Sequence, residues 1–263
     1  MIGFHASAWG SDHLLNACSS LAMNGFDGIE VYGDVSQIFA DKPGEFRTLL
    51  GIAGVGFAGV SGGGPLCFPE YHEAEQLEWQ RLIQWAAAAE AKYVVYYGGE
   101  GTDDPVADLA HGAHLLNELG AHAREHGLLF CYEPDPGSPF NSHDAITSLL
   151  DNTSAEDVYL SADTARLDAI GLDPVFFTLT QHARIGVVHL RDVQTDAEST
   201  PEEADPYVDP GAGRLDLHGV ADALHSVGFS NWVVSVVDQP RVSARASANA
   251  TATFLRERLE FRF

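Results

Sequence analysis

Three successive apolar runs of this 263-residue chain end in, or carry near their ends, a side chain that can ligate a metal or move a proton. Glu133 closes the run 128–132, Asp163 follows 158–162, and His189 lies in 185–190. Alternation along a strand puts Leu129, Cys131 and Glu133 on one face. Tyr159, Ser161 and Asp163 share a face of the next strand, and Ile185, Val187 and His189 a face of the one after. If those faces turn inward, two carboxylates and an imidazole meet. Mixed oxygen and nitrogen donors suit Mn²⁺, Co²⁺, Fe²⁺, Zn²⁺ or, less well, Mg²⁺. A lone Asp at a strand end is most often a helix cap. Three strand ends in succession make a stronger signal.

The elements that must position these residues alternate from end to end. Strands are expected at 2–6, 28–32, 56–60, 93–97, 128–132, 158–162, 185–190 and 232–237, each followed by a helical pattern. The third is taken to end at the glycine run 62–64. Eight strand–helix units of about 33 residues predict a parallel sheet closed into a single (β/α)₈ TIM barrel over residues 1–263, with the site at the C-terminal strand ends. An open doubly wound sheet is the structural alternative. It usually carries a glycine-rich phosphate turn after the first strand, and His5-Ala6-Ser7-Ala8-Trp9 is no such turn. The acidic, proline-containing segment 195–213 lies over the mouth in such a barrel, as a lid or as a solvated loop.

In this order the motifs resemble those of the xylose isomerase-like barrels, the sugar phosphate and inositol isomerase, epimerase and dehydratase group. Gly25-Phe26-Asp27-Gly28-Ile29-Glu30 is similar to that family's second-strand segment. Tyr132-Glu133, Asp163-Thr164 and Val188-His189-Leu190-Arg191-Asp192 are similar to its metal-bearing segments. Gly211-Ala212-Gly213 resembles its turn before the seventh helix, and Gly228-Phe229-Ser230-Asn231-Trp232 its approach to the eighth strand. The resemblance implies a divalent metal on Glu133, Asp163, His189 and a second glutamate, with Glu133 also catalytic. It implies a polyhydroxylated small-molecule substrate whose carbonyl the metal polarises, acidifying the adjacent C–H.

The chain departs from that pattern at three places. Val236 stands where the second glutamate belongs; Asp238, on the same face, is two residues on, roughly 6.6 Å further along the strand. Arg166 replaces a histidine and cannot ligate a metal; it can bind a substrate anion or pair with Glu133 or Asp163. Pro134-Asp135-Pro136 follows Glu133 in place of the usual Asn-His. A two-base epimerisation therefore lacks one proton carrier, whereas one-base isomerisation or elimination survives. Arg166, Asp238, Asp135, Arg191, His5 and Glu30 are expected to line the substrate pocket. Trp9, Tyr96 and Tyr97 form either an apolar wall for a sugar ring or plain core.

The remaining signals exclude more than they assign. A formal charge of −24, with lysine only at 42 and 92, opposes binding to nucleic acid or anionic membranes and argues against an apurinic-site nuclease on the same barrel. No apolar run reaches membrane-spanning length, and Met1 leads straight into a strand rather than a signal peptide. Cys18, Cys67 and Cys131 are too scattered for a disulfide framework, so a cytoplasmic protein is expected, as a monomer or a homo-oligomer. His111, His114, His122 and His126 read as solvated helix faces, and 98–101 as a strand-to-helix turn. The competing function is a catalytically degenerate barrel that binds a ligand or partner; metal content separates the two.

Overall fold

A computed structural model describes residues 1–194 and 206–260. Eight parallel strands close into a barrel: β1 (Ile2–His5), β2 (Gly28–Tyr32), β3 (Gly56–Gly63), β4 (Tyr93–Tyr97), β5 (Leu129–Glu133), β6 (Val158–Asp163), β7 (Ile185–Leu190) and β10 (Trp232–Ser235). β10 pairs with both β7 and β1, which closes the ring. Between β7 and β10 lies a small antiparallel pair, β8 (Asp192–Val193) with β9 (Tyr207–Val208). The helices α1 (Leu14–Met23), α2 (Asp34–Ile38), α3 (Pro43–Ala53), α4 (His72–Ala88), α5 (Pro105–Glu125), α6 (His143–Asp151), α7 (Thr164–Ala169), α8 (Pro174–Gln181), α9 (Leu217–Ser226) and α10 (Ala244–Glu257) follow the strands. Many start on a cap legible in the sequence. Asp104, Ser142, Asp173, Asp216 and Ser243 each accept backbone N–H bonds of the first turn.

Two packed regions follow from strand alternation. Outward side chains such as Val94, Phe130, Leu160 and Val188 pack under the helices. Inward ones, Ala58, Tyr93, Val95, Cys131, Val187, Trp232 and Val234, fill the barrel itself. Gly59 makes that filling possible: a Cβ there would lie 2.3 Å from the Tyr93 ring. All three cysteines are free and buried. Among the described residues no helix is long and apolar enough to cross a membrane.

Several boundaries differ from the sequence expectation. β3 runs on to Gly63, because residues 61–63 pair with Val95, Tyr96 and Tyr97 of β4. Its glycines mark close approach rather than a turn; a Cβ on Gly63 would meet the Tyr97 carbonyl oxygen at 2.9 Å. The last barrel strand ends at Ser235, before Val236. The short helices α2 and α7 are additional to the sequence expectation. Asp163 starts α7 by accepting the Ala165 and Arg166 N–H groups, so the cap reading of that residue holds as well. Of the expected lid, residues 195–205 lie outside the described residues, while β9 returns along β8.

Candidate active site at the barrel mouth

The inward ends of β5, β6 and β7 bring Glu133, Asp163 and His189 together. All three are buried, and one ligand atom from each lies within 4.8 Å of the other two. Glu133 Oε2 accepts from Ser161 Oγ at 2.6 Å and stands 2.6 Å from His189 Nδ1. The other ring nitrogen of His189 lies 2.9 Å from Glu30 Oε2, across the barrel on β2. Tyr93 Oη donates to that same oxygen at 2.6 Å. The imidazole is thus held between two carboxylates. Burial opposes its protonation, but the charges of Glu30 and Glu133 outweigh burial and raise its pKa well above the ordinary histidine range. Burial alone would raise Glu133; the His189 charge, then Arg166, instead bring it down to about 2.

Two guanidiniums meet the remaining oxygens. Arg166 Nε is 3.3 Å from Glu133 Oε1, and its Nη1 pairs with Asp135. Arg191 Nε donates to Asp163 Oδ2 at 3.0 Å, and its Nη1 pairs with Asp238. Asp238 also accepts from Tyr32 Oη at 3.3 Å. Each guanidinium lies over an aromatic ring, Arg166 over Tyr97 at 5.0 Å and Arg191 over Tyr207 at 4.7 Å. The β8–β9 pairing delivers Tyr207. Asp192, next to Arg191, anchors that segment by accepting the N–H groups of Val193, Gly211, Gly213 and Leu215. The Gly211-Ala212-Gly213 turn is therefore clamped to a buried carboxylate.

The expected pocket residues divide into two sets. Arg166, Asp135 and Asp238 are partly exposed at the mouth. Arg191, His5 and Glu30 are buried. His5 accepts from the Ser7 N–H through Nδ1 and faces Ser61 Oγ at 3.1 Å through Nε2. Burial holds it below the ordinary histidine range and, with Glu30 opposing, so do His189 and Arg191. Glu30 is 0% exposed and faces His189 rather than open space. Tyr97 borders the mouth, but Tyr96 points outward, donating to Glu75 with its ring tilted against Trp79. It is not part of the inner wall. Trp9 packs edge-on to Phe4. Sequence reasoning missed Ser161, Tyr93 and Tyr32. Ser161 shares the face of Asp163, so alternation held the signal for it. A cavity of about 1120 Å³ borders Tyr32, Ser61 and Tyr97 and runs outward between α2, α3 and α4.

The donor set fits a divalent cation. Five carboxylates, Glu30, Glu133, Asp135, Asp163 and Asp238, converge on two guanidiniums and one imidazole. A neutral His189 would leave an excess of negative charge that a cation offsets. Val236 is buried and has no donor atom, so Glu133, Asp163 and His189 would supply the protein ligands, leaving positions open.

The sequence signature of the xylose isomerase-like TIM barrel family matches residues 18–258. The chain belongs to that family. An inosose dehydratase of Geobacillus thermodenitrificans is 29% identical over 134 residues, covering 47% of this chain and 45% of its own. That of Halalkalibacterium halodurans is 29% identical over 154 residues, 54% of this chain and 50% of its own. The chain thus spans about half the length of the curated relatives it matches. Among solved structures, a probable 3-DHS dehydratase from Bacillus anthracis aligns with a TM-score of 0.84 at 13% identity, covering 98% of this chain and 99% of that one. The IolI protein, crystallised with a zinc atom, aligns at 0.78 with 17% identity over 96% of both chains. These structural likenesses concern the fold.

Proposed function

We propose that this barrel is an isomerase, epimerase or lyase acting on a sugar, cyclitol or glycoside-derived carbonyl compound, and that elimination driven by one main base is its chemistry. The convergence of buried Glu133, Asp163 and His189 at the C-terminal strand ends carries the reading. The inosose dehydratases and the dehydratase barrel favour a lyase among the three. Val236 favours it too, because a second ligand-level glutamate is missing from the strand that carries it in the family.

Glu133 is the base. Ion pairing lowers its proton affinity, so it becomes effective when ligand binding draws Arg166 away and returns it toward the ordinary carboxylate range. It then takes a proton from the carbon beside the substrate carbonyl. The electron pair of that C–H bond becomes a double bond to the neighbouring carbon, whose hydroxyl receives the proton now held by Glu133 and leaves as water. Arg166, Asp135 and Asp238 grip substrate oxygens at the mouth. A divalent ion on Glu133, Asp163 and His189 would supply Lewis-acid polarisation of the carbonyl.

The test is incubation with an inosose in D₂O, with and without added Mn²⁺, Co²⁺ or Zn²⁺, followed by NMR. Deuterium should enter beside the carbonyl, a dehydrated product should accumulate, and Glu133→Gln should slow exchange by at least about 10²-fold. Exchange undiminished in Glu133→Gln refutes the role of Glu133. A second reading is favoured by the pairing of Arg166 with Glu133 and of Arg191 with Asp163: a barrel that binds a polyhydroxylated ligand without turnover. Tight binding, no exchange and no bound metal would mark that outcome.

A further inference from the structure

Outside the mouth, four other side chains converge where α4 begins beside α5. His72 is the first residue of α4; His111, His114 and Glu118 lie three and four residues apart on one face of α5. One ligand atom from each of His72, His114 and Glu118 lies within 4.8 Å of the other two. The His72 and His114 rings are parallel within 8° at 5.4 Å, and His111 meets His72 at 5.1 Å. These contacts leave donors unsatisfied. Among the described residues His72 Nδ1, His111 Nε2 and Glu118 Oε2 are buried without a hydrogen-bond partner. Glu118 Oε2 is only 3.0 Å from His72 Nε2, yet the pair lacks hydrogen-bond alignment. Buried polar atoms left this way are costly unless something between them accepts their lone pairs.

We propose that His72, His111, His114 and Glu118 form a second transition-metal site, for Zn²⁺ or an ion of similar preference, on the outer wall of the barrel. Three imidazoles and one carboxylate make a four-coordinate set of nitrogen and oxygen donors that zinc accepts. His72, His114 and Glu118, whose donors already lie within 4.8 Å of one another, would close on the ion by rotation of the exposed His114 and of Glu118, and His111, whose ring meets that of His72, would complete the set. The ion would join the first turn of α4, which follows the loop leaving β3 at the mouth, to α5. Its role is to hold that rim, not to touch substrate, and it is independent of the proposed reaction.

Cu²⁺ as a spectroscopic probe and Zn²⁺ as a calorimetric one test this on the full-length protein. The mouth triad offers one histidine, whereas the outer site offers three. Copper bound to the wild type should therefore show hyperfine coupling to three nitrogens, reduced to two or fewer in His114→Ala. Zinc titration should show an equivalent that is weakened at least about tenfold by His114→Ala and by Glu118→Gln. That equivalent should raise the melting temperature of the wild type but not of either variant. His114 is 63% exposed in its side chain, so its replacement leaves packing intact. Single-nitrogen copper coupling throughout, or a zinc equivalent unaffected by both substitutions, overturns the proposal.

Discussion

Glu30→Gln tests whether the carboxylates hold His189 in its charged form. Gln keeps the volume of a residue that is 0% exposed, so packing changes little and electrostatics dominates. The substitution removes the anion 2.9 Å from His189 Nε2 and sets an amide against the Tyr93 hydroxyl, which donates to Glu30 at 2.6 Å. Breaking a buried pair from one side costs about 3–5 kcal/mol. His189 can escape part of that by releasing its proton, so the expected loss in metal-stripped protein at pH 7 is about 2–4 kcal/mol. Urea unfolding measures it. Tyr93→Phe should cost about 1–2 kcal/mol, and the double variant less than the sum, because both act on one oxygen. The sign with pH follows from the raised pKa of His189. Its stabilisation is complete below the unfolded value near 6.5 and fades as pH rises through the folded value. The gap between wild type and Glu30→Gln should narrow over the same interval. Imidazole ¹⁵N shifts give the direct readout: doubly protonated in the wild type, neutral in the variant. A loss under about 0.5 kcal/mol with His189 still doubly protonated would refute the reasoning.

Three further outcomes are expected. Arg166→Ala removes the cation 3.3 Å from Glu133 and should tighten divalent-metal binding by about tenfold, read by chelator competition, because a competing charge at a ligand oxygen is gone; unchanged affinity argues against a metal at Glu133. Val236→Glu places a carboxylate at a buried position just past the end of the last barrel strand and should also tighten metal binding, if the site is a reduced form of the family's; an unaltered dissociation constant counts against that origin. Glu133, brought down to about 2 by His189 and Arg166 against burial, contributes stability that is present above its ordinary value near 4.5 and lost as pH falls toward 2. The urea-unfolding midpoint of Glu133→Gln should accordingly move less with pH across that window, and identical midpoint-against-pH profiles would contradict the assigned pairing.

What the sequence determined by itself is the barrel and the level of its site. Strand–helix alternation and the capping residues are local signals, and period-two alternation needs only the chain's own pleat. That is why Cys131 and Val187 could be placed beneath Glu133 and His189, and both do lie in the inner cluster. Tertiary structure decided which charges pair. The β2–β3 register shifts between Ile29 and Glu30, and the β6–β7 register between Leu160 and Ser161. No periodicity announces such a shift, yet both bear on the level at which the site side chains stand. Closure of the ring brings Glu30 to His189, 159 residues away in sequence. Arg191 reads as a pocket residue in the sequence, but folding sets it between Asp163 and Asp238 and under Tyr207. The histidines of α5 read as a solvated face because nothing in one helix reveals that His72, from the helix before, will stack on them. A buried charge or donor is defined by what surrounds it in space, and only the packed chain supplies those neighbours.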